Sequence, residues 1–178
     1  IDKAIQLYKN AAKQGNMKAQ FNLGVMYAKG NGVEKNPAKG IKYYERAADQ
    51  GMHQAMLNLG VIYFKGADGI AVDKPKAAEL FERASDKNLR ALFNLAVMKQ
   101  KGDGIEKDER KAIELYEKAA DMNSAEALLN LGIIYDEGSE IVKQDKEKAV
   151  QLYKRAAKLG NAKAQLNLGL MYQEGQGC

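Results

Sequence analysis

The chain has 178 residues, 46% hydrophobic and 29% charged, with 28 Lys and Arg against 23 Asp and Glu and a formal net charge of +5. That apolar fraction excludes a wholly disordered chain, and 17 glycines beside only 2 prolines exclude a collagenous or low-complexity one. With one His (His53) and one Cys (Cys178), an internal disulfide and a Cys/His structural zinc site are both excluded, and no metal or cofactor is expected. Ala supplies 26 residues, whereas Val and Ile together supply 17 and Thr is absent, a balance that favours helix over sheet. No run of eighteen apolar residues occurs and no signal-peptide pattern opens the chain. Ile1 already falls in a helical pattern, so the sequence reads as a soluble segment of a longer protein and names no compartment.

The elements repeat. In chain order, Asn22-Leu23-Gly24, Asn58-Leu59-Gly60, Asn94-Leu95-Ala96, Asn130-Leu131-Gly132 and Asn167-Leu168-Gly169 step by 36, 36, 36 and 37 residues. Three residues after each Gly column stands Tyr27, Tyr63, Lys99, Tyr135 or Tyr172, and three further on a second glycine, Gly30, Gly66, Gly102, Gly138 or Gly175. A second set of columns, Tyr8, Tyr44, Phe81, Tyr116 and Tyr153, precedes small residues such as Ala47-Ala48. A fixed period of this length predicts a solenoid of helix pairs.

The first helix of each pair is predicted at 17–29, 53–65, 89–101, 125–137 and 162–173, each stopped at a glycine suited to a left-handed C-terminal residue. The second is predicted at 37–50, 74–87, 109–122 and 146–159, started by Asn36, Asp73, Asp108 or Asp145, with an orphan copy at 2–14. Links holding Gly15, Gly51, Asn123 or Gly160 return the chain to the next pair, and the third link, Ser85 to Asn88, is one residue short. The expectation is an all-α, right-handed α/α superhelix of about five helix pairs. It forms one array over 1–178, with units near 17–52, 53–88, 89–124 and 125–160 and half repeats at 1–16 and 161–178.

The pattern A-x-x-N-L-G-x-x-Y-x-x-G-x-G-[VI] at Ala19 to Val33, followed by a polar cap and A-x-x-x-Y-x-x-A-A as at Ala4 to Ala12, resembles the Sel1-like repeat family, a relative of the tetratricopeptide repeat. The resemblance covers essentially the whole chain. It implies an α/α superhelix acting as an adaptor or scaffold for other proteins. A cysteine-rich branch of the family is linked to β-lactam binding, and this chain departs from it in holding only Cys178.

Catalysis is not expected. Ser85, Ser124 and Ser139 are the only serines and none begins a Ser-x-x-Lys motif, so the β-lactamase nucleophile pair is missing. His53 sits at a helix start, where Met17, Leu89, Ala125 and Ala162 stand in other periods, and Cys178 reads as a flexible end. Gly30-Asn31-Gly32 and Gly102-Asp103-Gly104 recur as turns and lack the third glycine of a dinucleotide loop. An RNA-reading helical repeat, the other alternative considered, would need a strongly basic and variable lane, so no nucleic-acid partner is expected.

The polar lane of the first helices is the candidate binding surface. It reads Lys18-Asn22-Val25-Lys29, then Gln54-Asn58-Val61-Lys65, Arg90-Asn94-Val97-Lys101, Glu126-Asn130-Ile133-Glu137 and Lys163-Asn167-Leu170-Glu174. Spaced at three to four residues, each row lies on one helical stripe, predicted to line the inner wall of the superhelix. Two readings of the Asn row stand side by side. Its amides grip a peptide backbone, or they bridge adjacent helices and fix the superhelical twist. The first three rows are basic and the later ones turn acidic, so the expected ligand is an acidic extended or helical segment of a protein partner, bound by a monomer.

Overall fold

The computed structural model describes residues 2–176; the expectation for Cys178 lies outside the described residues. The described chain is all-α: α1 (Asp2–Lys13), α2 (Met17–Lys29), α3 (Pro37–Asp49), α4 (His53–Lys65), α5 (Lys74–Ala84), α6 (Leu89–Lys101), α7 (Glu109–Asp121), α8 (Ala125–Glu137), α9 (Lys146–Lys158) and α10 (Ala162–Gln173). Even-numbered helices are the first of each pair and odd-numbered helices the second. Among the described residues the only β pairing is an isolated bridge between Ala67 and Ile70 in the turn before α5.

The caps explain the boundaries. Asn36, Asp73, Asp108 and Asp145 each accept a hydrogen bond from the backbone N–H three residues on, which satisfies an otherwise orphan donor at the start of α3, α5, α7 and α9. Each of these cap residues also donates its own N–H back to the preceding helix, to the carbonyl of Tyr27, Tyr63, Lys99 or Tyr135, at 2.7–2.9 Å. That bond clamps the turn between the helices of a pair. It uses backbone atoms only, so period three keeps it although Lys99 replaces the aromatic.

The return links need one left-handed residue. Gly15, Gly51 and Gly160 adopt φ of 86–89°, and Asn123 holds the same place at 61°. The short third link has no such residue. There α5 closes at Ala84, three residues before the predicted end at 87, with the Ser85 backbone N–H and hydroxyl both bonded to the Glu82 carbonyl. Asn88 then caps α6.

The chain divides into two compact units, residues 1–91 and 92–178, with the first three residues of α6 in unit 1 and the rest in unit 2. In unit 1, α2 packs on α1 and α3, and α4 on α3 and α5. In unit 2, α8 packs on α7 and α9, and α9 on α10, while Phe93 of α6 lies 5.9 Å from the Tyr116 ring of α7. The core of each unit is made of the alanine columns, the leucines Leu23, Leu59, Leu95 and Leu131, and the rings of α3, α5, α7 and α9; Tyr44, Phe81, Tyr116 and Tyr153 are all 2% exposed or less. Three of those rings lie where glycine leaves a gap, while the pair of Tyr116 has Ala96 in that column. A Cβ added at Gly24, Gly60 or Gly132 would come within 2.4–2.6 Å of the ring of Tyr44, Phe81 or Tyr153. The glycines therefore set the distance between the helices of a pair.

Candidate functional site

The lane residues fall into two exposure classes in both units. In unit 1, Lys18, Lys29, Gln54, Lys65 and Arg90 are exposed, whereas Asn22, Val25, Asn58 and Val61 are half-buried. In unit 2, Lys101, Glu126, Glu137, Lys163 and Glu174 are exposed, whereas Asn94, Val97, Asn130, Ile133 and Asn167 are half-buried; Leu170 is exposed. The rows that lie within one unit thus have a shallow polar-apolar centre with long polar or charged side chains at the two ends. The exposed lane charges of unit 1 are all positive, and those of unit 2 are mixed.

The asparagines are tied into the packing. Asn130 donates from Nδ2 to the Tyr116 hydroxyl at 3.0 Å, and that hydroxyl donates to Gln100 Oε1 at 2.9 Å. Asn58 hydrogen-bonds Tyr44, and Asn167 bonds Tyr153. In each case an amide on a first helix reaches the phenol of the preceding second helix, so for these three residues the bridging role is real. Asn58 is further engaged, since its Oδ1 accepts from Gln54, whose own Oε1 accepts from Asn88. Burial pushes the Tyr116 and Tyr153 phenols up to about 12; the Asn130 or Asn167 amide pulls each back, and the Asp136 carboxylate beside Tyr153 raises it further.

The sequence reading missed two features. Beside Asn130 lies a groove of about 570 Å³ with Phe93, Leu129 and Leu159 as apolar lining and Glu126 and Lys163 among its polar residues. These apolar residues sit one position off the lane or in a link, outside the helical stripe. A second groove of about 570 Å³ in unit 1 lies off the lane, lined by Ile41, Lys42, Tyr63 and Val72. The other missed feature is a lysine laid over the aromatic column. Lys39, Lys76 and Lys148 put their ammonium groups 4.3, 4.1 and 3.8 Å from the ring centroids of Tyr27, Tyr63 and Tyr135. In period three the pair becomes Lys99 and Lys111, and Lys111 bonds Glu114 instead.

The residues weighed for catalysis have structural tasks. Ser85 closes α5, Ser124 caps α8 by accepting from the Ala127 N–H, and Ser139 accepts from Ile141 and Val142 in a turn. His53 is the half-buried first residue of α4. No helix among the described residues is long and apolar enough to cross a membrane.

The sequence pattern of the Sel1 repeat matches residues 1–16, 18–52, 53–89, 89–124, 125–161 and 162–178. No protein with a curated description matches the chain. Among solved structures it is similar to a protective antigen of uropathogenic Escherichia coli strains displaying an SLR fold. Identity there is 34% and the TM-score 0.88, over 96% of this chain and 37% of that one. It is similar to a Sel1 repeat protein from Oxalobacter formigenes at 34% identity and a TM-score of 0.84, over 92% of this chain and 65% of that one. A more distant likeness is to cysteine rich protein B of Helicobacter pylori, at 25% identity and a TM-score of 0.55, over 71% of this chain and 90% of that one. The chain spans less than two thirds of the length of the first two. With repeat, cap, turn and packing columns all present and the family pattern matched over nearly its whole length, the chain belongs to the Sel1 repeat family.

Proposed function

We propose that the chain is a non-catalytic interaction module whose unit 1 lane binds an acidic, extended or helical segment of a partner protein. Sel1 repeat proteins are commonly protein-interaction scaffolds. The observation that carries the finer reading is the sign of the exposed lane charges in unit 1. Lys18, Lys29, Lys65 and Arg90 stand without an acidic residue among them, around the half-buried Val25 and Val61. A one-signed rim with a small apolar centre steers an oppositely charged segment and leaves tightness to apolar contact, since exposed charge pairs contribute only about 0.2–1 kcal/mol each. Because Asn58 is bonded within the chain, the side chains available to a ligand are the lysines, Arg90 and the valines rather than the amide row as a whole.

Affinity capture from the source lysate tests the proposal, with the wild-type chain beside a Lys29→Glu, Lys65→Glu variant. A partner recovered by the wild type and lost by the variant supports the reading. Equal recovery of the same partner contradicts it and moves the search to the off-lane groove at Ile41, Lys42 and Tyr63.

A further inference from the structure

The turn between α4 and α5 departs from the other turns in the two residues before its cap. Those residues are Glu34-Lys35, Glu106-Lys107 and Lys143-Gln144 elsewhere and Ala71-Val72 here. Both are exposed, Val72 to 54%. They border the off-lane groove of about 570 Å³ whose wall includes Ile41 of α3 and Tyr63 of α4, so the apolar surface is continuous and not a lone exposed side chain.

The turn is held in place. Ala67 and Ile70 exchange both backbone hydrogen bonds, at 3.1 and 2.8 Å, Asp68 is paired with Lys35 at 2.5 Å, and the Asp73 N–H bonds the Tyr63 carbonyl at 2.8 Å. Between these anchors the N–H and C=O groups of Ala71 and Val72 make no hydrogen bond among the described residues. A fixed apolar stretch with unpaired main chain is an edge to which an extended peptide adds, with little ordering cost on this side of the contact.

The charges around the groove select the segment. Asp73 accepts from the Lys76 N–H, and the Lys76 ammonium, laid over Tyr63, interacts with both Glu45 and Asp73. Lys74 lies over Phe64. Lys42 is exposed and makes no ion pair among the described residues. The charge left for a ligand is therefore positive.

We propose that this turn is a second docking site, separate from the lane, for an extended segment of a partner protein that carries an aliphatic side chain beside a carboxylate. The main chain of the segment pairs with Ala71 and Val72, its aliphatic side chain enters the groove between Ile41 and Val72, and its carboxylate meets Lys42. The site stands whether or not the lane binds.

Selection from a library of random peptides displayed on phage tests this, run on the wild type and on the Lys29→Glu, Lys65→Glu chain, in which the lane is disabled. The variants Val72→Gln and Lys42→Glu read the site. Each places a residue that the fold already carries in that column, Gln144 before α9 and Glu79 or Glu114 on α5 and α7, and circular dichroism checks that the helices are kept. Peptides with an aliphatic residue next to Asp or Glu should be recovered from the lane-disabled chain as well as from the wild type. They should bind the Val72→Gln chain about tenfold more weakly, and the Lys42→Glu chain should instead recover peptides with Lys or Arg beside the aliphatic residue. No such enrichment on the lane-disabled chain, unchanged affinity for Val72→Gln, or an acidic preference kept by Lys42→Glu overturns the proposal.

Discussion

Gly132 and Gly169 occupy the same column with opposite surroundings, and the same substitution should have opposite signs at the two. At Gly132 an added methyl meets the Tyr153 ring, which is fully buried and has nowhere to turn, so Gly132→Ala should destabilise by roughly 1–3 kcal/mol. At Gly169 the space is open, and Gly169→Ala should stabilise by up to about 1 kcal/mol from helix propensity. Thermal melts in dilute solution read both. Met52 gives a second case. It stands where Asn16, Asn88, Ser124 and Asn161 each cap a first helix with a side-chain oxygen, and it makes no such bond. Met52→Asn should add about 0.5–1 kcal/mol; a lowered melting temperature would show that the thioether's packing outweighs the cap. The phenols give a pH signature. With folded values near 12 against the ordinary 10, Tyr116 and Tyr153 contribute stability that is whole below pH 10 and is lost as the pH rises through 12. Phenolate absorbance followed beside helicity should show these two ionising together with unfolding, after the exposed tyrosines. The caps were legible because they depend on local spacing. The Tyr–Asn bonds were not, since an amide on a helical stripe serves solvent or a neighbour equally well until the neighbouring hydroxyl is placed.

Element boundaries followed the sequence closely because glycine and Asx residues punctuate every turn. The five predicted first helices coincide with α2, α4, α6, α8 and α10. The second helix of period two is the departure. Losing the left-handed link residue forces the chain to leave the helix at Ala84 and reach Asn88 directly. Period three carries a further irregularity at Lys99, half-buried in an aromatic slot. Its counterparts Tyr27, Tyr63 and Tyr135 sit under a lysine of the next helix, and Lys111 stands where that lysine would be. Lys99→Tyr removes a like-charge neighbour, buries a ring and restores the stack, which is worth about 0.5–1 kcal/mol at a partly exposed site. The variant should melt higher, and a lower melting temperature would mean that the slot in this period has closed around the lysine stem.

At the scale of the molecule, repeats that contact mainly their neighbours distribute stability along the chain. Helices with one packed side open first, so in dilute solution α1 and α10 should exchange their amide hydrogens ahead of α3, α4, α8 and α9. Uniform protection would contradict nearest-neighbour packing. The fold was legible at this scale because the period repeats five times. The proposed binding lane was legible only as a stripe, because apolar residues off the stripe, such as Phe93 and Leu159, build grooves that periodicity does not reveal. The most direct test of the account is the association rate of the captured partner, measured against ionic strength for the wild type and for the Lys29→Glu, Lys65→Glu variant. The account predicts that the wild-type rate falls steeply with salt, and that the variant associates about tenfold more slowly at low salt with a flat dependence. Identical rates and identical salt slopes for the two chains would contradict it.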